Sequence, residues 1–190
     1  MTRILVINAN PKSSSLCRAM AERYRQEAAA RHEVELVHIG ELDFDPDLHE
    51  GYSQIQDLES DLQTFQQQLL WAQHLVIVTP VWWGVVPARL KGLFDRVLLP
   101  GFAFRFEAGK TFQTRLLEGR TSELLITLDT PVWWYRWVLG QPIYRQLKQT
   151  VLAFVGIRNR QVRYFGPVIH STLEQREDWL AVVARRAASV

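Results

Sequence analysis

The sequence is poor in cysteine: Cys17 is the only one among 190 residues. A single cysteine excludes an internal disulfide and any metal site built from several thiolates. The five histidines show neither the HExxH spacing nor another spacing typical of metal ligands. Because a metal ion needs several such side chains around it, the sequence predicts no metal centre.

The sequence also lacks long hydrophobic runs and a large excess of charge. No apolar stretch reaches the roughly 18 residues that a membrane span requires. Thr2 and Arg3 lead directly into the apolar run Ile4–Ile7, without the layout of a signal peptide. The 22 basic and 20 acidic residues leave a formal charge of +2, which is too small to hold a nucleic-acid backbone without strong clustering. We therefore expect a cytoplasmic protein with no nucleic-acid partner and no membrane insertion.

Internal repeats, low-complexity tracts and linkers rich in glycine, serine or proline are absent as well. Hydrophobic residues make up 47% of the chain and charged residues 22%, as in ordinary globular proteins. A chain of this length suits one hydrophobic core, since single domains usually have about 100 to 200 residues. The sequence predicts a single domain over residues 1–190.

Short apolar runs alternate with segments of helical spacing along the whole chain. The predicted strands are Ile4–Ile7, Val34–Ile39, Leu75–Val78, Leu124–Leu128 and Gln161–Phe165. The predicted helices are Leu16–Ala30, Asp57–Ala72, Pro87–Leu98, Pro142–Val155 and Leu173–Ala187. Such alternation is typical of an α/β fold with a doubly wound parallel sheet. Five strands favour the order 2-1-3-4-5 over the six-stranded dinucleotide-binding order. The segments Asp43–Gln54, Pro100–Gly119 and Thr130–Pro142 are predicted to be irregular.

The segment Asn8–Ser15 connects the first predicted strand to the first predicted helix. Such a turn presents free backbone N–H groups and serine hydroxyls at the positive end of a helix dipole, where a phosphate can bind. The glycine patterns of the dinucleotide-binding and P-loop motifs are both absent. Two interpretations stay open from this segment alone: a phosphate site, or serines that only cap the helix.

The segment Thr79–Ala88 follows the third predicted strand and contains Trp82, Trp83 and Gly84. Two indoles and a glycine at a strand end can form a flat apolar wall with backbone amides beside it, which suits a planar aromatic cofactor. The alternative is that both indoles fill gaps in the core. In the expected strand order this segment lies beside the first loop, and that position favours a cofactor site over indoles that only fill the core.

Three stretches of this region together carry a resemblance to a known family. Pro80–Trp83 is followed by Pro87–Leu98 and then by Gly101–Phe104, and this run resembles the flavodoxin-like NAD(P)H:quinone oxidoreductases. The first loop and the segment Gly156–Pro167 share the resemblance, which covers nearly the whole chain. It implies a flavodoxin-like three-layer sandwich.

The resemblance implies a bound flavin, and it assigns residues to the flavin site. The first loop of the family holds the flavin phosphate, the second lies along the isoalloxazine ring, and the fourth strand supplies backbone contacts. The corresponding residues are Asn10, Ser13, Ser15, Leu16, Cys17, Pro80, Val81, Trp82, Trp83, Gly84, Thr127, Leu128, Asp129 and Thr130. Cys17 is then a contact without redox chemistry.

The resemblance also implies a substrate pocket and one catalytic residue. Trp83, Phe104 and Phe106 match positions that bind nicotinamide and quinone, the two phenylalanines commonly in the pocket of a partner subunit. Tyr135 falls where the family has a tyrosine near the pyrimidine edge of the flavin. Gln141 stands where its companion histidine would be, and Thr127–Tyr135 replaces a glycine-rich turn of the best-known members.

The function implied is hydride transfer from NADH or NADPH to the flavin, followed by two-electron reduction of a quinone or similar electrophile, in a soluble homodimer. FMN is favoured over FAD because the short chain shows no adenine-binding extension. The alternatives are an azo or nitro reductase of the same fold, a regulatory subunit of a potassium-efflux antiporter, and a one-electron carrier like flavodoxin. The formal charge of +2 speaks against the carrier, because flavodoxins are usually acidic.

Charged residues on the helix after the tryptophan loop are assigned no chemistry. Lys91, Asp95 and Arg96 have the spacing of charges on a solvated or subunit-facing helix surface. The sequence therefore predicts that all three lie at the surface of the subunit.

Overall fold

The apolar runs form strands and the segments between them form helices, in the computed structural model of residues 1–190. The order along the chain is β1 (Arg3–Asn8), α1 (Leu16–Ala28), β2 (Glu33–His38), α2 (Ser60–Trp71), β3 (His74–Pro80), α3 (Ala88–Val97), β4 (Phe104–Arg105), β5 (Thr114–Arg115), β6 (Thr121–Thr127), α4 (Val132–Trp137), α5 (Pro142–Arg145), a π-helical turn (Gln146–Leu152), α6 (Ala153–Val155), β7 (Arg158–Phe165) and α7 (Leu173–Ala187). No helix combines the length and the apolar character that a bilayer crossing demands.

Five strands form one parallel sheet in the order β2-β1-β3-β6-β7. Counted by their position among the sheet strands, this is the predicted order 2-1-3-4-5, which is confirmed. The central strand β3 is buried along all seven of its residues, because helices cover both of its faces. The predicted α/β class and the three-layer arrangement are confirmed with it.

Alternate residues of the central strands pack into two separate cores. Leu5 and Ile7 of β1 face α2 and α3, and they belong to the larger core. Ile4 and Val6 face the opposite way, toward α1 and α7. This alternation follows from the two-residue period of a strand, and it explains why every residue of the run Ile4–Ile7 is apolar.

Two segments predicted to be irregular contain regular structure. The segment Thr130–Pro142 includes α4, whose six residues carry three tryptophans. The segment Pro100–Gly119 includes a short antiparallel pair, in which Phe104 and Arg105 of β4 lie opposite Arg115 and Thr114 of β5. Both elements are too short to show a hydrophobic period, so periodicity could not indicate them.

Arg96 of α3 is buried, with only 1% of its surface exposed. Its guanidinium donates hydrogen bonds to the Glu59 carboxylate at 2.8 Å and to the backbone carbonyls of Asp45 and Asp57. The prediction of a surface position was wrong for Arg96, because its hydrogen-bond partners come from a segment far away in sequence. Lys91 does lie at the surface, where it pairs with Asp95.

The face of α3 that carries Arg96 packs against the long connection from β2 to α2 and fixes its position. Arg89 donates to the carbonyls of Ile39 and Leu42. Between the two arginines, Gly92 lies so close to Pro46 that an added Cβ would come within 2.5 Å of its side chain. The connection is therefore fixed by charge-assisted hydrogen bonds and by close backbone packing.

We predict that Arg96→Met destabilises the protein by about 3 kcal/mol, because it leaves two carbonyls and a partly buried carboxylate without their donor. The matched change Lys91→Met, on the same helix, removes an exposed ion pair and should cost about 0.5 kcal/mol or less. Urea unfolding of both variants measures the two values. Equal losses would show that Arg96 contributes no more than a surface charge.

Candidate cofactor site

Three loops meet at the carboxyl edge of the sheet, where β1, β3 and β6 end side by side. They enclose a cavity of about 640 Å³, together with part of α7. Its lining is formed by Asn10, Lys12, Ser14, Ser15, Leu16, Cys17, Ala19, Pro80, Val81, Trp82, Thr127, Leu128, Asp129, Val168, Leu173, Arg176, Glu177 and Leu180. Ligands of open parallel sheets bind at this edge.

The loop after β1 presents unpaired backbone donors to the cavity. The Ser15 hydroxyl caps α1 by accepting the Arg18 N–H at 3.1 Å, and the Asn10 side chain accepts the Lys12 N–H at 3.0 Å. The backbone N–H groups of Ser14, Ser15, Leu16 and Cys17 have no acceptor within the protein. Together with the α1 dipole, these groups form a site for an anion such as a phosphate.

Cys17 joins the first loop to the end of β6. Its thiol lies 3.2 Å from the Thr127 hydroxyl and is buried. Burial raises the pKa of Cys17 to about 11, so the thiol stays protonated near neutral pH. A protonated, buried thiol is a poor nucleophile and takes part here through packing.

The loop after β3 makes a tight two-residue turn. Trp82 and Val85 exchange backbone hydrogen bonds of 3.0 Å in both directions. Between them, Trp83 has a φ of 51° and Gly84 a φ of 78°, as the turns of tight hairpins require. A left-handed tryptophan is uncommon, and here the pair of hydrogen bonds holds it so that its indole projects fully into solvent.

The loop after β6 is fixed by the segment that follows β7. The Leu128 carbonyl accepts the Val168 N–H at 3.0 Å, and the Asp129 carboxylate accepts the Ile169 N–H at 2.8 Å. Gly166 approaches so closely that an added Cβ would lie 2.2 Å from the Leu128 carbonyl oxygen. The third wall of the cavity is therefore positioned mainly through backbone groups.

The sequence did not predict one wall of the cavity. It consists of Leu173, Arg176, Glu177 and Leu180, which recur at the spacing of one face of α7. That spacing was the available signal, but it predicts a helix face without saying what the face covers. Arg176 donates to the Ser171 hydroxyl at 2.8 Å and brings a positive charge to the cavity.

Most of the residues predicted for the flavin site do line this cavity. Those it brings together are Asn10, Ser15, Leu16, Cys17, Pro80, Val81, Trp82, Thr127, Leu128 and Asp129. Those outside its lining are Ser13, Trp83, Gly84 and Thr130. Phe104 and Phe106 pack edge to face, with ring centroids 5.6 Å apart, and line a separate cavity of about 560 Å³.

Tyr135 is buried beside Tyr164, with ring centroids 5.7 Å apart. Its hydroxyl oxygen accepts the Ile143 N–H at 3.2 Å, and its own proton has no acceptor in the protein. Burial raises the pKa of Tyr135, so the phenol keeps that proton. The side chain lines none of the four main cavities, and its contact with a flavin edge stays a prediction.

The sequence is similar to several oxidoreductases. It is 31% identical over 170 residues to an uncharacterized NAD(P)H oxidoreductase of Haemophilus influenzae, covering 86% of this chain and 83% of that protein. It is 38% identical over 79 residues to human ribosyldihydronicotinamide dehydrogenase [quinone], covering 42% of this chain and only 33% of that enzyme. It is 32% identical over 119 residues to an FMN-dependent NADH:quinone oxidoreductase of Pseudomonas savastanoi, covering 60% of this chain and 54% of that enzyme.

The structure is similar to solved structures over its whole length. A NAD(P)H:quinone oxidoreductase from Methanothermobacter marburgensis superposes with a TM-score of 0.80 at 21% identity, covering 98% of both chains. A family model described as flavodoxin-like fold matches residues 2–188. With the sheet order and the ligand cavity at its carboxyl edge, this match shows that the chain belongs to the flavodoxin-like fold family.

Proposed function

We propose that the chain is a flavin-dependent NAD(P)H oxidoreductase that passes a hydride from NADH or NADPH, through bound FMN, to a quinone or similar electrophile. The observation that carries this function is the cavity at the carboxyl edge, which offers unpaired N–H groups at one end and an apolar wall at the other. The proposal includes a single flavin-binding domain over residues 1–190 and a cytoplasmic location. The names of the similar proteins support the reaction class.

The residues of the cavity fit FMN. A phosphate suits the N–H groups of Ser14–Cys17, and Lys12 and Arg176 add positive charge to the lining of the cavity. A planar ring suits Val81, Trp82 and Leu128, which give the other end its apolar surface. Preformed amides of this kind bind an anion without reorganisation, because their directions are already set by the loop and by α1.

Bound flavin supplies the hydride chemistry, and the chain supplies position and electrostatics. Pro80, Val81 and Leu128 exclude water from one side of the cavity, which strengthens hydrogen bonds within it. The backbone N–H groups of Trp83 and Gly84, which lie outside the cavity lining, have no acceptor within the protein. Tyr135 holds a phenolic proton without an acceptor, and we assign that proton to the pyrimidine edge of the ring.

We predict that Ser15→Asp lowers FMN affinity more than about 100-fold, because it puts a carboxylate beside the phosphate, and like charges in one site cost several kcal/mol. Aspartate is a good N-cap, so the Arg18 N–H keeps an acceptor and the fold keeps its stability. Fluorescence titration of FMN measures the affinity. Ser15→Ala, which removes the hydroxyl without adding charge, should weaken FMN less than about 10-fold.

One outcome of this titration would contradict the position of the phosphate, and another would contradict flavin binding itself. Parent affinity in Ser15→Asp would place the phosphate elsewhere in the molecule. Failure of the parent protein to bind either FMN or FAD at saturating concentration would overturn the flavoenzyme assignment itself.

The exposed aromatic loops support a homodimer, which is part of the proposal. Phe106 is 70% exposed and Trp137 75% exposed, and surfaces of this kind usually mark interfaces. Light scattering should give twice the chain mass of 22.1 kDa. Phe106→Asp should shift the protein toward the monomer, whereas a parent protein that is monomeric at micromolar concentration and fully active would contradict a dimer.

We predict that Tyr135→Phe slows anaerobic flavin reduction by about 3-fold to 30-fold with the nucleotide dissociation constant nearly unchanged, since the hydroxyl acts on charge that develops in the transition state. Stopped-flow absorbance measures the step. The control is Tyr164→Phe, which removes the hydroxyl of the neighbouring ring, a donor to Gln141 at 2.6 Å. Parent rates in a Tyr135→Phe protein that retains its flavin would leave Tyr135 with a packing role alone.

A further inference from the structure

The outer strand β7 has one edge without a partner strand. It pairs with β6 alone and is the last strand in the order of the sheet. The Phe165 carbonyl accepts the Leu128 N–H, so it points toward β6. Because the backbone groups of successive residues in a strand point to opposite sides, the N–H and C=O groups of Val162 and Tyr164 point outward. This edge therefore offers both donors and acceptors to a further strand.

A cavity of about 360 Å³ opens at the same edge. β7 contributes four consecutive residues, Val162–Phe165, to its lining, and since side chains alternate along a strand they come from both faces of the sheet. The rest of the lining comes from α4 and α7, namely Val132, Arg136, Trp179 and Val182. The cavity shares no residue with the cofactor site. A molecule in it would lie across the open edge of β7.

Positive charge is concentrated around this edge. From Thr130 to Leu173 the chain has no aspartate or glutamate, and its six basic residues there are Arg136, Arg145, Lys148, Arg158, Arg160 and Arg163. The four arginines of α4 and β7 are exposed, and none of them pairs with a carboxylate. An anionic partner would supply the missing negative charge.

Charged side chains on an edge strand usually prevent it from pairing with another molecule. Here the charges have one sign, so they exclude a second copy of the same edge, which would place arginine opposite arginine. A strand with acidic side chains is attracted by the same charges. Protection of the edge does not require an apolar cavity, whereas binding of a strand uses such a cavity to recognise a side chain.

We propose that the open edge of β7 binds an extended acidic segment of another protein, which adds to the sheet as a further strand and places an apolar side chain in the cavity. This partner matches the outward backbone groups, the arginines and the apolar lining together. A small aromatic anion matches only the arginines and the lining. A nucleic acid has no regular row of donors and acceptors for the backbone of β7.

The test uses the whole chain and a fluorescein-labelled peptide of about six residues, the usual length of a strand, in which glutamate and leucine alternate. A second peptide carries an N-methyl group on every residue, which removes the N–H groups and keeps the charges and the leucines. A short thymidine oligonucleotide with the same label is a polyanion without peptide groups. Fluorescence anisotropy measures the affinity for each probe.

The glutamate–leucine peptide should bind, and the N-methylated peptide and the oligonucleotide should bind at least about 10-fold more weakly, since neither can form the strand hydrogen bonds. Amide hydrogen exchange of residues 158–165 should slow in the complex, because the outward N–H groups gain acceptors. Added salt should weaken the binding, because the arginines are exposed.

Arg163→Glu should weaken the peptide more than about 10-fold, because it puts like charges together beside the cavity. The matched control is Arg25→Glu, which makes the same change of net charge at an exposed position on α1 and should alter the affinity by less than about 2-fold. Both positions are exposed, so circular dichroism should show the parent fold in both variants.

Four outcomes would overturn this inference. Equal affinity for the N-methylated peptide would mean that charge and apolar surface alone are recognised, and equal affinity for the oligonucleotide would mean that the edge attracts any polyanion. The other two are a glutamate–leucine peptide that fails to bind at about 1 mM, and Arg25→Glu weakening the peptide as much as Arg163→Glu. None of these outcomes bears on the proposed flavin chemistry.

Discussion

The parallel direction of the five strands is the constraint on which the site depends. In a parallel sheet all carboxyl ends lie at one edge, so the loops that leave β1, β3 and β6 must meet there although long stretches of chain separate them. The order of the strands decides which loops are neighbours, with the tryptophan turn in the middle. Each loop then contributes a different chemistry, namely unpaired amides, indole surface and the apolar side chain of Leu128.

Rigid backbone contacts make this edge a preformed site. The turn at Trp83 and Gly84 is closed by two hydrogen bonds, and the loop after β6 is held by Gly166 and the residues that follow it. On the far side of the sheet, α3 clamps the connection between β2 and α2 through Arg96. Binding to a preformed site costs little conformational entropy, so the contact energy is retained as affinity.

The sequence predicted the sheet and its order, because both depend on local apolar runs and on strand direction. Most residues of the cofactor cavity were predicted through the family resemblance. The sequence could not predict the burial of Arg96, whose acceptors come from a distant segment, or the wall from α7, where a helix face does not reveal its neighbour. The helix α4 was not predicted, because six residues rich in tryptophan show no helical period of hydrophobicity.

The contribution of α7 to the cofactor cavity has a consequence for the biosynthesis of the protein. The cavity joins the first loop of the chain, near Ser15, to the helix Leu173–Ala187. Chains are made from the amino terminus, so the first strand and its loop emerge long before the helix that closes the cavity over them. During synthesis, the cavity is therefore complete only after α7 has been made.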